Sequence, residues 1–380
     1  MNVLFISHSL GMDGGANRSM MQLILELKGN HCISPIVLIP FGKLKKGDHG
    51  LVEECINYKI PFERSIIPWF IHQKVWLHRL KYVLLFFYFP FLIIKLKKYN
   101  IQLVHSNGSV FDLGASISKS LRVPHVWHLR EFGTEDDTFK PVWNEAYIKK
   151  AYTNANVFIA ISNAIKTSYK GRINENKIAR IYNGIDCKRY QNQAQHNNEK
   201  TEFVIVGVVT PHKNQFEAVK AVAKLVQKGI TNFHLNIIGP EDKAYKDTMH
   251  EYIIDHGIYN YITFWGLRND IPEILSKMDV GLMLSKSEAF GRVTIEYMFQ
   301  NLAVIASDTG ANPELIKDGE TGFLYPLNDI DALAEKMRIF LGDRDFLSKM
   351  AFNGYKYAIK NFPSEKNSQK VYELYKNISH

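Results

Sequence analysis

Residues 3–28 read VLFISHSLGMDGGANRSMMQLILELK: an unbroken apolar run, a glycine turn and a helix pattern, in that order. That succession opens a nucleotide-binding α/β unit, because a strand buried on both faces needs apolar side chains at every position and a glycine loop lets the chain turn directly into a helix. The alternation recurs in PIVLIP (35–40), LVHSN (103–107), HVWHL (125–129) and VFIAIS (157–162). A polar stretch, YQNQAQHNNEKTE at 190–202, then interrupts the pattern and reads as a linker. Beyond it a second series begins: FVIVGVV (203–209), HLNIIG (234–239), ITFWG (262–266), VGLMLS (280–285) and AVIAS (303–307). The expected architecture is α/β, with two Rossmann-like, doubly wound parallel-sheet domains, residues 1–190 and 200–355, facing a cleft. Residues 356–380 are expected to form a helix that crosses back to the first domain, set off by Pro363.

A chain of 380 residues exceeds what one core usually supports, and 46% apolar with 22% charged residues is enough for two. The formal charge is +9, with basic side chains crowded into 72–98. No zinc-finger spacing, aromatic RNA-binding box or basic heptad helix accompanies that charge, so no nucleic-acid partner is expected. Anionic lipid and phosphate-bearing small molecules remain. Cys32, Cys55 and Cys187 form no CxxC pair, and MNVLFISHSL reads as a first strand and not as a signal peptide, so a reducing, cytoplasmic setting is expected. The most hydrophobic segment, YVLLFFYFPFLII (82–94), contains Pro90 and is 13 residues long, short of the roughly 20 that span a bilayer. It reads either as a buried helix or, with Trp76, Tyr82, Lys81, Lys95, Lys97 and Lys98 around it, as a patch that docks on anionic lipid at the inner membrane face.

Residues 285–296 read SKSEAFGRVTIE. The strand before them should end near Ser285 and a helix should begin near Gly291, which puts Glu288 in the loop at the carboxyl end of a parallel strand, where such sheets bind ligands. The backbone N–H groups of Phe290, Gly291 and Arg292 suit a phosphate at that helix start. Glu296 could then accept hydrogen bonds from ribose hydroxyls, and Glu288 from those of a second sugar. The plainer alternative is a solvated Glu288 and a Glu296 that pairs with Arg292 one turn away, worth about 0.3–0.5 kcal/mol.

The run from 270 to 326 resembles, nearly element by element, the donor-binding half of retaining GT-B glycosyltransferases of the family 4 type, in which two glutamates flank seven residues. Here they fall on Glu288 and Glu296, with Gly310 and Glu314 in the next loop and Gly319, Thr321 and Gly322 in the turn after it. GVVTPHKNQ resembles the family's phosphate loop at Gly207 and Lys213, but Val208 stands where the family has arginine; Arg292 is the candidate substitute cation. Gly14 and Gly15 match the family's glycine loop, HVWHLREFG matches a segment that places His128 near the transferred sugar and Arg130 and Glu131 on the acceptor side, and Arg268 lies where the nucleotide base is held. Asn183, Gly184 and Asp186 read as turn residues near the hinge.

The resemblance implies a glycosyltransferase that retains anomeric configuration, with Lys213, Glu288 and His128 in the chemistry. The donor is a nucleotide diphosphate sugar and the acceptor a saccharide; the basic, aromatic patch at 72–98 suggests that the acceptor is lipid-linked, as in surface polysaccharide assembly. No metal is expected, and Glu135, Asp136 and Asp137 read as a solvated loop. Two rivals stand beside it: a sugar-nucleotide epimerase of the same fold, and a non-catalytic nucleotide-sugar-binding scaffold, which Val208 leaves open.

Overall fold

The computed structural model describes residues 1–12, 14–44, 49–132, 140–190 and 199–379. Contacts divide the chain into two compact units, Met1–Gly184 with Ser364–His380, and Ile185–Pro363.

The first unit contains β1 (Asn2–Ser7), β2 (Ser34–Pro40), β3 (Phe62–Ser65), β4 (Ile71–His72), β5 (Leu103–Asn107), β6 (His125–Leu129), β7 (Lys140–Pro141), β8 (Val157–Ala160) and β9 (Ile178–Arg180). Seven of these form a sheet in the order β3-β2-β1-β5-β6-β8-β9, all parallel, while β4 and β7 pair separately and antiparallel. Winding runs outward from β1 through β2 to β3 and then restarts at β5 on the other side of β1. The reversal lies between β1 and β5, and loops at their carboxyl ends part there. The central strands are buried on both faces, which is why VLFIS is almost wholly apolar; LVHSN is as fully buried, and its His105, Ser106 and Asn107 are polar groups held in the core by hydrogen bonds.

The helix expected over 356–380 begins only at Ser364, just past Pro363, because helix Arg344–Asn361 of the second unit occupies the first part of that range; helix Ser364–Ser379 belongs to the first unit. Val371 and Tyr375 are buried in the core beneath β1, and Asn367 donates to the Tyr182 carbonyl at 2.6 Å.

The second unit contains β10 (Thr201–Val206), β11 (Phe233–Ile238), β12 (Ile262–Gly266), β13 (Val280–Met283), β14 (Ala303–Ser307) and β15 (Phe323–Tyr325). Their order is β12-β11-β10-β13-β14-β15, again all parallel. Here the reversal lies between β10 and β13. Both units are Rossmann-like, as expected. Most of the polar stretch at 190–202 lies outside the described residues.

One element departs from expectation. The apolar run at 82–94 sits inside a 23-residue helix, Val75–Lys97, which continues through Pro90 and is long and apolar enough by composition to cross a membrane. The 13-residue run alone is short for a bilayer, but Val75–Lys81 and Lys95–Lys97, which are mixed in polarity, extend the same helix at both ends. The helix is also mostly exposed: only His78, Leu85, Leu92 and Leu96 are buried.

Candidate active site

In the second unit, the reversal places two loops side by side, 207–214 after β10 and 284–291 after β13. Backbone pins them together, the Lys286 N–H donating to the His212 carbonyl at 3.0 Å. Across that seam Lys213 Nζ lies 2.8 Å from Glu288 Oε2, and both side chains are partly exposed, at 31% and 16%. Two residues 75 positions apart in sequence are thus brought together by sheet order alone.

Glu288 is held from behind. The Ala311 N–H donates to its carbonyl at 2.8 Å, and Gly310, at φ +56°, packs so closely that a Cβ there would overlap the Glu288 peptide. The matched glycine after β14 therefore serves the placement of the matched glutamate after β13.

Helix Arg292–Phe299 starts at Gly291, whose φ of +85° is left-handed; Gly291 supplies no side-chain cap and the first turn carries no acid. Glu296, 7% exposed, accepts from Arg292 Nε at 2.8 Å, so the helical pair foreseen as the plainer alternative is present. Burial, and then the Glu296 carboxylate, pushes the Tyr190 hydroxyl above its ordinary range. Around Gly291 two fully buried oxygens, Thr294 Oγ1 and Asn312 Oδ1, have no hydrogen-bond partner among the described residues. Buried polar atoms are nearly always satisfied, and the Asn312 carbonyl oxygen can only accept, so this corner is set up for a donor such as a hydroxyl.

The arginine-to-valine departure is visible. Val208 is 47% exposed, and its carbonyl is tied by Gln215 Nε2 at 3.0 Å. Arg268 is not brought to this seam. It follows β12, two strands out from β10, and pairs with Asp270 at 2.9 Å. Gly319, Thr321 and Gly322 form a turn in which Thr321 Oγ1 accepts from the Lys317 N–H at 2.9 Å, a structural role.

In the first unit, the loops at the carboxyl ends of β1, β5 and β6 gather His8, Ser109, Arg130 and Glu131. Glu131 accepts from the Ser109 N–H at 2.7 Å and lies 3.8 Å from His8 Nε2. His8 Nδ1 is 3.1 Å from the Asn107 carbonyl, so that nitrogen carries the hydrogen and Nε2 faces Glu131. Sequence reading passed over His8, though a polar residue just past the first strand at a winding reversal was a usable signal.

His128 sits inside β6, 1% exposed, in a wired core. Arg130 Nη2 approaches its Nδ1 at 3.4 Å, His105 Nε2 lies 3.1 Å from the same nitrogen, and His105 Nδ1 is 2.5 Å from the Tyr375 hydroxyl. A guanidinium can only donate, so His128 Nδ1 accepts and its hydrogen is on Nε2. His105 must then donate from Nε2 and accept from Tyr375. The chain of donors ends on His128 Nε2, which has no partner among the described residues. Burial, and then Arg130, holds both His105 and His128 well below the usual histidine range, and burial lowers His125 to about 3. All three are neutral near pH 7, so His128 offers a neutral N–H donor. Arg130 is itself buried, donating to Asn107 Oδ1 at 2.6 Å and Asn183 Oδ1 at 2.5 Å; Asn183 is thus more than a turn residue.

Gly14 and Gly15 open helix Gly15–Asn30, whose first turn has no acid and no side-chain cap. A Cβ at either would meet nothing within 4 Å, so packing within the protein does not require glycine there. Gly133 and the acidic trio Glu135, Asp136 and Asp137 lie outside the described residues.

Comparison with known proteins fits this geometry. A family model described as Glycosyltransferase Family 4 matches residues 13–189, and one described as Glycosyl transferases group 1 matches 186–357. A UDP-Gal:alpha-D-GlcNAc-diphosphoundecaprenol alpha-1,3-galactosyltransferase of Escherichia coli is 26% identical over 304 residues, 74% of this chain and 76% of that protein. The capsular polysaccharide biosynthesis glycosyltransferase CapM of Staphylococcus aureus is 26% identical over 54% of this chain and 58% of its own length. Among solved structures, Anabaena Alr3699/HepE in complex with UDP-glucose superposes with a TM-score of 0.77 at 21% identity, over 99% of this chain and 100% of that one.

Proposed function

The chain belongs to the family 4, group 1 glycosyltransferases, of retaining type, and on that premise we propose that it moves a hexosyl or N-acetylhexosaminyl unit from a nucleotide diphosphate sugar to a lipid-linked saccharide during lipopolysaccharide or capsule assembly. The Lys213–Glu288 pair carries this reading. It is an exchangeable pair at the winding reversal, beside a helix start that carries no first-turn acid, and a diphosphate entering there would take the lysine as its counter-ion. Glu296 then grips the ribose and Glu288 turns to hydroxyls of the transferred sugar. The lipid-linked acceptor draws support from the relative whose substrate is a diphosphoundecaprenol saccharide, and a uridine donor from the neighbour that holds UDP-glucose.

In the reaction the anomeric C–O bond to the diphosphate breaks as the acceptor oxygen attacks the same face. Lys213 stabilises charge growing on the departing phosphate, which takes up the acceptor's proton. His128, Arg130 and Glu131 serve the acceptor side, and the neutral Nε2–H of His128 donates to a sugar oxygen. Release of nucleoside diphosphate from a panel of nucleotide sugars, with and without membrane extract, tests the reading: acceptor-dependent release is expected. Val208, exposed where the family carries a cation, favours a non-catalytic scaffold as second reading, and nucleotide binding with no turnover of any donor would select it.

A further inference from the structure

Helix Val75–Lys97 is about 34 Å long at 1.5 Å per residue and carries two unlike apolar faces. His78, Leu85, Leu92 and Leu96, spaced 7, 7 and 4 residues apart, are buried, and its leucines join the core formed by Leu4, Ile36 and Val104. On the opposite side Trp76, Leu80, Val83, Phe87, Phe91 and Ile94 form one continuous stripe at helical spacing, and all are exposed, Trp76 at 69% and Phe87 at 76%. A stripe of this size facing water marks a docking surface.

The basic residues say what covers it. By helical rotation Arg79 and Lys97 run along one edge of the stripe and Lys95 along the other, with Lys81 further round toward the buried face, so cations flank the aromatic band on both sides. An apolar band between cationic edges matches an anionic phospholipid surface, where rings enter the acyl boundary and ammonium groups meet lipid phosphates. Spanning is ruled out by tethers to the rest of the unit, Tyr82 and Tyr88 on the inner side and Arg79 at the edge. Tyr82 donates to Asp112 at 2.9 Å, Tyr88 to the Arg64 carbonyl at 3.3 Å and Arg79 Nε to the Val142 carbonyl at 3.2 Å.

We propose that helix Val75–Lys97 lies in the plane of an anionic bilayer, its aromatic stripe inserted and its basic edges on lipid phosphates. The helix start is built into the end of the sheet that holds the acceptor-side residues. The Trp69 N–H donates to His78 Nδ1 at 2.7 Å, and the Trp69 ring meets that of His8 edge-on at 5.2 Å. A saccharide on a lipid anchor would thus be delivered from the surface the helix rests on to the carboxyl end of β1. Vesicle binding is read without turnover, so docking and the glycosyltransferase reading fail separately.

The test is co-sedimentation of the full chain with phosphatidylcholine vesicles, with and without about one third phosphatidylglycerol. Binding is expected to the anionic vesicles only and to weaken with salt. Phe86→Ser/Phe87→Ser, both residues being over 70% exposed, should lower it at least about tenfold with an unchanged melting temperature. Lys95→Gln/Lys97→Gln should lower it about tenfold to thirtyfold, since each basic group near such a surface is worth about fivefold. Brominated lipid should quench tryptophan emission in the wild type and much less in Trp76→Phe. Equal binding to neutral vesicles, undiminished binding of the phenylalanine variant, or a light-scattering dimer through this face that ignores vesicles would each overturn the proposal.

Discussion

The two units share a winding scheme and differ in how they hold their polar groups. Around β10 and β13, Lys213 meets Glu288 in an ion pair at the rim, on loops set by backbone contacts, while Arg292 pairs with the more buried Glu296 one helical turn away. Beneath the ends of β5 and β6, polar side chains are sealed in the core: neutral His105 and His128 and a buried Arg130 are joined by hydrogen bonds to Tyr375 of the terminal helix, and a neutral His125 lies beside them on Ser106. An ion pair at a rim can be exchanged for a ligand at small net cost, because both partners stay partly solvated. A buried network cannot be exchanged piecemeal, since each broken contact leaves a desolvated group unsatisfied. On the proposed function, the second unit's rim pair is the place where a charged donor would be taken and released, and the first unit keeps one donor hydrogen, on His128, in a fixed direction.

The difference should show most strongly in acid. His105, His125 and His128 have folded-state values depressed below that of an unfolded chain, so the unfolded state binds protons that the native first unit refuses. Their neutral burial costs nothing extra above about pH 6.5 and destabilises the fold progressively as pH falls below it, by about 1.4 kcal/mol per pH unit for each group. Three groups together give a slope of about 4 kcal/mol per pH unit. The window for His125 extends down to about 3. In the second unit His234 shares this downward shift and is only half buried. Hydrogen exchange followed by unit, at pH 7 and pH 5, should find protection lost first around β5 and β6. Equal loss in both units would break the contrast.

Next in size are the rim pairs themselves. Lys213→Ala should lower kcat about 100- to 1000-fold while donor KM changes little, as expected of a cation that acts on charge developed in the transition state. Glu296→Ala should weaken nucleotide binding about 10- to 100-fold in calorimetry, through loss of charge-assisted hydrogen bonds to the ribose. Unchanged affinity in the second variant would leave the Arg292–Glu296 pair as a helix contact and nothing more.

Much of this was legible in the chain, and for identifiable reasons. Parallel strands buried on both faces announce themselves as unbroken apolar runs, so VLFIS and AVIAS could be placed before any coordinates. The Glu288–Glu296 spacing put one acid in a loop and one in a helix, where both are found. Pairing across the seam was not legible, because Lys213 meets Glu288 only through the order of strands β10 and β13. The histidine wiring was hidden for the same reason, since Tyr375 reaches His105 from 270 positions away. Helix Val75–Lys97 misled through composition: an apolar run looks the same whether it faces a core or a lipid, and only the identity of the buried face separates them.

The smallest expected effect is also the most discriminating, since it separates glycines kept for the fold from glycines kept for a ligand. Gly310 has a left-handed φ and a backbone neighbour where a Cβ would stand, so Gly310→Ala should destabilise the second unit by about 1–3 kcal/mol and displace Glu288. Gly15 has an ordinary helical conformation and nothing within 4 Å of a Cβ, so Gly15→Ala should leave the melting temperature unchanged or raise stability by about 0.4–1 kcal/mol. If the loop before that helix presents its amides to a diphosphate, the same substitution should raise donor KM severalfold in a protein that melts no earlier than the wild type. Stability and KM left equally untouched would mean that the glycine pair of the first unit has no ligand, and the donor would then be held by the second unit alone.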